Sequence, residues 1–542
     1  MRDEERYVLS GPPLTVPTIE VSSGKFLYER LLKTISNGTA LISEKTNESI
    51  TYRELFEVTR QLAVSMRNYG FSKKDIVGIC SENSIYYLIP VFAGIFEGIP
   101  VVPINPSYTD YEIIHAFNLV LPNIIFCSKD NARRIYHLKA KFTCIKEVVE
   151  LGSKQNDSDI PNLYNFISKW YSNIQNYAPI DVRIDDHIAL IMFSSGTTGL
   201  PKGVMLTHRN FNTRKAITLE PNYFYEPKTR VTLGVLPFFH LFGLNTVITG
   251  LVHGRMVVVI EKFDPIIYLS CVEKYKIETI TAAPAIVQLL AKSPLVDKFD
   301  LSHVKDLLVG SAPLSQTLEK AVKKRLPIKY VRQGYSMTEG SATFVTVPPN
   351  TERLGSCGKL YPTVKGVVKD IETEENLGPL KTGELCFKGN IIMKGYYKNE
   401  AETRAAFTKD GYLKTGDIGY YDDDGYFYVI DRIKELIKYK GYQVAPAELE
   451  AILIAHPKVK DVAVVGIPDV EAGELPMALV VLQPNAGLTE DDVMMYLNKY
   501  VSRHKRLRGG VKFVVEIPRN SLGKINRKEV KVLATRIIKS KL

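Results

Sequence analysis

Apolar and polar positions along the 542-residue chain follow two periods. Apolar residues recurring every three or four positions predict helices over Phe26–Thr34 and Tyr52–Tyr69. Short continuous apolar runs, Ile76–Cys80, Pro100–Ile104 and Ile124–Cys127, have the length and character of buried strands. Helices alternating with such strands predict parallel βαβ units, whose ligand sites lie beyond the carboxyl ends of the strands. The greasiest window, Tyr86 to Ile104, is broken by Pro90, Glu97 and Pro100. It predicts a buried helix followed by a strand, not a membrane span.

Further along, Ile188–Phe193 and Val204–Thr207 read as strands, and the stretch from His208 as a helix. Runs near Thr232–Leu236, Met256–Ile260, Thr279–Ala282 and Asp306–Val309 extend a second α/β half to about residue 340. From Gly355 to Tyr428 glycines recur every few residues between short β-rich runs, which predicts a small antiparallel barrel or meander. After Asp431-Arg432 the pattern returns to βα, with a helix over Pro446–Ile454 and a strand over Val462–Gly466. The polar stretch Lys154–Asp159 reads as a surface loop. The whole is an α/β chain: residues 1–431 form a large domain of two α/β halves plus a small β-barrel. Residues 432–542 form an α+β domain of about 110 residues, an ordinary domain size.

Composition changes this picture little. With 45% hydrophobic and 24% charged residues the chain is ordinary globular material. Its net charge of +11 is spread among acids, with one compact basic run at Arg503-His-Lys-Arg-Leu-Arg508. That argues against a nucleic-acid partner and suits small polyanionic substrates. Six scattered cysteines contain no CxxC pair and read as reduced thiols, neither a disulfide framework nor a zinc site. The charged first residues lack the apolar core of a signal peptide.

The chemistry concentrates in Ser194-Ser-Gly-Thr-Thr-Gly-Leu-Pro-Lys202, set between two predicted strands. Gly196 and Gly199 let backbone N–H groups crowd an anion. The hydroxyls of Ser194, Ser195, Thr197 and Thr198 donate to phosphate oxygens, and Lys202 adds a point charge. This is a phosphate loop but not a Walker A loop, in which Lys-Ser/Thr opens a helix directly. Here Leu200-Pro201 precede the lysine and a strand follows it.

This string resembles the signature of the adenylate-forming family: acyl-CoA synthetases, coumarate–CoA ligases and beetle luciferases. The resemblance runs from about residue 25 to the C-terminus. It implies a Mg-ATP-dependent enzyme that couples a carboxylic acid to AMP and then passes the acyl group to CoA. Gly334-Tyr-Ser-Met-Thr-Glu-Gly340 resembles the family's second signature, with Gly334 and Tyr335 against adenine, Thr338 at the α-phosphate and Glu339 on Mg²⁺. Gly310, Ser311 and Ala312 would wall the nucleotide pocket. Asp417 matches the ribose aspartate, with Arg432 assisting, since a carboxylate can accept from both ribose hydroxyls. Lys524, in Asn520-Ser-Leu-Gly-Lys-Ile525, matches the lysine that spans the acid and the α-phosphate. Asp431 resembles a hinge, after which a rotating domain presents Lys438 and the CoA-binding Lys440-Gly441 backbone to the second step. The terminal Ser540-Lys541-Leu542 reads as a peroxisomal address for an import receptor.

In Pro237-Phe-Phe-His-Leu-Phe-Gly243 the resemblance makes His240 a substrate-gating residue. Arg214, Phe242, Thr246, Gly310 and Ala342 complete a mostly apolar acyl pocket. Arg214, His240, Phe242 and Thr246 fit the luciferase pattern, whereas Ser311 and Ala342 stand where luciferases usually have glycine and serine. Those departures favour a fatty acyl-CoA synthetase of medium-to-long chain preference. The alternatives are a luciferin monooxygenase, which would also consume O₂, and an aryl-acid CoA ligase.

Overall fold

The computed structural model describes residues 6–152, 159–173, 176–194, 201–221, 226–341, 343–349, 351, 353–440, 442–520 and 523–539. Ser195, Gly196, Thr197, Thr198 and Gly199 of the phosphate loop lie outside the described residues. So do Ala342, Gly441, the C-terminal Ser540-Lys541-Leu542 and nearly all of the polar stretch from Lys154.

The helical periodicity is met at Ser23–Lys33 and Tyr52–Tyr69. The second begins where Thr51 accepts from the Glu54 N–H while the Glu54 carboxylate takes the Thr51 N–H, a reciprocal cap. It ends at Gly70, whose φ of 102° suits a residue without a Cβ. The greasy window forms the helix Leu88–Phe96, buried along its whole length, and the strand Val101–Ile104.

Among the described residues the large domain holds four sheets. The first runs in the order Gly395–Tyr396, Lys202–Thr207, Ile188–Ser194, Val101–Ile104, Val77–Cys80, Ile124–Ser128, Glu147–Leu151. Its last five strands are parallel, as the βαβ reading expects. The strands flanking the phosphate loop form an antiparallel hairpin at its edge.

The two α/β halves are not divided along the chain as the sequence suggested. The loop's strands belong to the first sheet. Conversely, Thr39–Ser43 and Ser49–Thr51 join Val231–Gly234 and Met256–Val259 in a separate four-stranded sheet. The physical reason is pairing: Leu41 is fully buried opposite Val257, and neither run can be completed by its sequence neighbours alone.

A third sheet places Thr279–Ala282, Asp306–Val309 and Tyr330–Ser336 in parallel, followed by antiparallel Thr343–Thr346 and Lys359–Leu360. The glycine-rich region supplies Lys365–Lys369, Gly383–Lys388, Leu413–Tyr421 and Phe427–Arg432, which with the N-terminal Leu9–Ser10 form a five-stranded antiparallel sheet. A bridge between Phe427 and Gly358 brings its far edge back toward the third sheet.

The small C-terminal domain is a sheet of Tyr442–Val444, Ile437–Tyr439, Gly473–Leu482, Val459–Asp469 and Gly510–Phe513. The helices Pro446–Ile454 and Arg527–Lys539 pack on its long Val459–Asp469 strand. It touches the large domain along the helix Pro284–Lys292, where Gln288 donates to Lys460 O (2.7 Å) and Lys292 to Ile454 O (3.3 Å). Among the described residues no helix is long and apolar enough to cross a membrane.

Candidate active site

The phosphate-loop hairpin closes with Ser194 opposite Lys202. Ser194 is buried and its Oγ has no hydrogen-bond partner among the described residues. Lys202 is engaged: its Nζ lies 2.6 Å from Glu402 and 5.1 Å from the centre of the Tyr396 ring. Tyr396 sits on the edge strand that pairs with Val204, and its hydroxyl donates to Glu339 Oε1 at 3.0 Å. The loop lysine and the buried Glu339 are therefore joined through one aromatic side chain.

Thr338 and Glu339 form a single 3₁₀ turn, Thr338–Gly340, directly after the strand that carries Tyr335. Gly340 is required there, since a Cβ would stand 2.3 Å from the Phe344 ring. The Tyr335 hydroxyl donates to Asp417 Oδ2 at 2.5 Å, and Arg432 Nε lies 3.2 Å from Asp417 Oδ1. Asp417 and Arg432 face each other across neighbouring strands, which is how residues fifteen positions apart come together. Burial pushes the Asp417 carboxyl above the usual carboxylate range, against the pull of Arg432, the Tyr335 hydroxyl and Lys524.

Lys524 reaches this cluster from the C-terminal domain. It follows Gly523, held at φ 75°, in a turn pinned by Asn520, whose side chain accepts the Lys524 N–H at 3.0 Å. Desolvation and the Arg432 charge bring its ammonium down to about 8, while Asp417, Glu435 and Glu339 pull it back up. The same ammonium adds to burial in lowering His240 to about 4. His240 caps the helix Leu241–Val252, its Nδ1 accepting the Phe242 N–H at 3.3 Å. It is thus a neutral imidazole with its proton on Nε2. The capping duty was not legible beforehand.

Gly310 packs beneath Phe242, where a Cβ would meet the ring at 3.1 Å. Ser311 next to it has a φ of 75°, a conformation that favours glycine. On the helix Leu241–Val252 the residues that are not fully buried are Phe242, Thr246 and Thr249, one stripe. Arg214, on His208–Thr218, lies 5.7 Å over the Tyr361 ring, and its Nε and Nη1 are buried without hydrogen-bond partners among the described residues.

The structure brings Lys202, Tyr335, Thr338, Glu339, Asp417, Arg432, Lys524 and His240 toward one region. It gives Lys438 and Lys440 different surroundings. Both are exposed; the Lys438 N–H donates to Glu474 (3.2 Å) and the Lys440 N–H to Ala472 O (2.8 Å), inside the C-terminal sheet. Between the two places stands Asp431, whose carboxylate accepts from Ala447 N at the start of the helix Pro446–Ile454. Burial raises it to about 6. Arg527 ties Glu435 of the connecting segment to Glu450 of the same helix. Sequence reading missed Tyr396, Glu402, Glu435 and Arg527, because nothing local in their runs names a partner so far along the chain.

This chain matches the AMP-binding enzyme family over residues 29–397 and the AMP-binding enzyme C-terminal domain over residues 448–524. The chain belongs to the AMP-binding, adenylate-forming enzymes. It is 41% identical to luciferin 4-monooxygenase of Photuris pensylvanica over 97% of both chains. It is 36% identical to probable 4-coumarate–CoA ligase 1 of Dictyostelium discoideum, covering 89% of this chain and 91% of that one. The crystal structure of ATP-bound MatB from Rhodopseudomonas palustris superposes with a TM-score of 0.85 at 27% identity, over 95% of this chain and 99% of that chain. Within the adenylate-forming enzymes the chain sits in the acid–CoA ligase and luciferase superfamily.

Proposed function

We propose that this adenylate-forming enzyme is a fatty acyl-CoA synthetase of medium-to-long chain preference, using Mg-ATP and CoA. The observation that carries the reading is Lys524, delivered by the C-terminal domain to the cluster of Asp417, Arg432, Glu339 and His240. In the first step a carboxylate oxygen of the acid attacks the α-phosphorus of ATP and pyrophosphate leaves. Lys524 lies between the two anions and offsets their repulsion as charge grows at phosphorus. Asp417 and Arg432 hold the ribose, Tyr335 the adenine, and Thr338, Ser194 and Lys202 the phosphates, the last after releasing Glu402.

The buried Glu339 carboxylate is the side chain that would hold a magnesium ion, a hard cation that takes oxygen ligands. When bound, it neutralises phosphate charge; Tyr396 orients the carboxylate that would hold it. In the second step the CoA thiolate attacks the acyl carbon and AMP leaves. Lys438 and the Lys440-Gly441 backbone serve this step after the domain turns at Asp431. The domain boundary at 431/432 and a peroxisomal location through Ser540-Lys541-Leu542 belong to the same proposal.

A second reading, a luciferin monooxygenase, is favoured by the identity to the Photuris protein and by Arg214, His240, Phe242 and Thr246. Ser311 weighs against it, since a side chain at that left-handed position narrows the pocket. The deciding experiment supplies ATP, Mg²⁺ and a panel of acids, with and without CoA, and follows AMP, thioester and photons. Thioester from fatty acids without light supports the synthetase. Bright emission with luciferin and no thioester would replace it with the oxygenase.

A further inference from the structure

Lys215 is fully buried and makes no ion pair with a carboxylate among the described residues. Its Nζ lies 3.3 Å from Asn245 Oδ1 and 3.2 Å from Thr249 Oγ1, and 5.3 Å from the centre of the Phe211 ring. An amine in such a place satisfies two of its hydrogen-bonding positions and leaves a third open. Burial, together with the neighbouring Arg214 charge, drives its pKa well below that of an ordinary lysine. A purely structural element would not be expected to spend a lysine here, because an apolar side chain fills the same space without the desolvation cost.

The location is informative. Thr249 ends the incompletely buried stripe of Phe242, Thr246 and Thr249 on the helix that His240 caps. Thr249 lies seven helical positions beyond Phe242, about 10 Å along the axis. Phe242 packs on Gly310 and His240 feels the Lys524 charge, so the near end of the stripe is where the acid reacts. Asn245 also donates to Ser341 O at 3.1 Å, fastening the amine's anchor to the turn after Glu339. Arg214, on the same helix as Lys215, adds two buried guanidinium nitrogens without hydrogen-bond partners among the described residues.

We propose that Lys215, held by Asn245 and Thr249, recognises an oxygen at the far end of the acid. The preferred substrate then carries a terminal hydroxyl or carboxylate, not a methyl group. This rests on the ligase reading and narrows its substrate class. The neutral amine, donating to Asn245 and Thr249, offers its lone pair to a hydroxyl; the ammonium offers a third N–H to a carboxylate.

The test uses the full-length enzyme with length-matched acids ending in methyl, hydroxyl or carboxylate, reading kcat/KM for adenylate formation and direct binding by calorimetry. The wild type should prefer an oxygen-terminated acid over the methyl-terminated one at least tenfold, and Lys215→Met should reverse the order without moving KM for ATP. Hydroxyl or carboxylate preference identifies the form of the amine. Thr249→Val, which keeps the lysine and removes one anchor, should reduce the preference and guards against a Lys215→Met protein that fails to fold. A wild-type preference for the methyl-terminated acid, or an oxygen preference that survives Lys215→Met, overturns the proposal. Failure of every acid to give AMP overturns the ligase reading instead, and the binding series still decides the role of Lys215.

Discussion

Lys524→Ala should separate the two half-reactions. The half-buried ammonium stands near Asp417, Glu339 and Arg432, and in the proposed first step it faces two anions at once. Opposite unit charges 4 Å apart attract by about 4 kcal/mol at an effective dielectric constant near 20. Deleting one preorganised group of this kind costs about 2.7–4 kcal/mol in the transition state. At about 1.36 kcal/mol per factor of ten, adenylate formation should fall by roughly 10²–10³. Thioester formation from preformed acyl-adenylate should change no more than a few-fold.

The pH dependence follows from the same residue. Its pKa is lowered to about 8, so the ammonium is complete well below that value and is lost as pH rises through it. kcat/KM for adenylation should therefore be flat on the acid side and decline above about pH 8, with the second step lacking that limb. Pyrophosphate release and thioester yield, measured separately by stopped-flow and quench, check both statements. Equal losses in the two steps, or an adenylation profile flat through pH 9, would refute the assignment.

Lys438→Ala should leave pyrophosphate release intact and slow thioester formation at least tenfold; an equal fall in both would remove the domain rotation from the scheme. Tyr396→Phe keeps the ring beneath Lys202 but deletes the hydroxyl that orients Glu339, so the Mg²⁺ concentration for half-maximal adenylation should rise about tenfold. Ser311→Gly relieves a left-handed serine, stabilising the protein by up to about 1 kcal/mol in chemical denaturation, and widens the pocket toward luciferin. Brighter emission from Ser311→Gly with Ala342→Ser checks the second part, and a lower denaturation midpoint would contradict the first. Each methylene should add about 0.8 kcal/mol to acid affinity until the chain reaches Thr249 and then no more; a flat series with an aromatic preference points to an aryl-acid ligase.

Local physics made much of this protein legible. Tyr52–Tyr69 announces itself because its period, its Thr51–Glu54 cap and its terminating Gly70 agree. The strands flanking Ser194 and Lys202 were readable because two apolar runs bracket a glycine-hydroxyl string. What escaped was partnership at long range. Leu41 gives no sign that it lies beside Val257, and Lys202 none that its counter-ion is Glu402. Asp417 and Arg432 were linked by resemblance, but the antiparallel register that places them opposite one another is a property of two strands together. Lys215 escaped for another reason: a lysine on a polar-looking helix reads as solvated until the helix is seen buried at nine of its eleven positions.

The stitching of Gly395–Tyr396 onto the Lys202–Thr207 strand has a consequence for how the protein is made. The phosphate loop's hairpin emerges from the ribosome long before its outer neighbour, and until then the hairpin's far side is an unpaired edge of the first sheet. Tyr396 and Glu402 arrive on that same late segment, so the loop lysine has no resting partner while the chain is unfinished. Synthesis through about residue 402 is needed before Lys202 has its counter-ion, and through Arg432 before the ribose side of the proposed nucleotide site is made. A truncated or stalled product would expose a sticky edge without a competent site, and chaperones should engage the nascent chain over that interval. Folding of the finished protein should be slow for the same topological reason, because these contacts close loops of nearly two hundred residues.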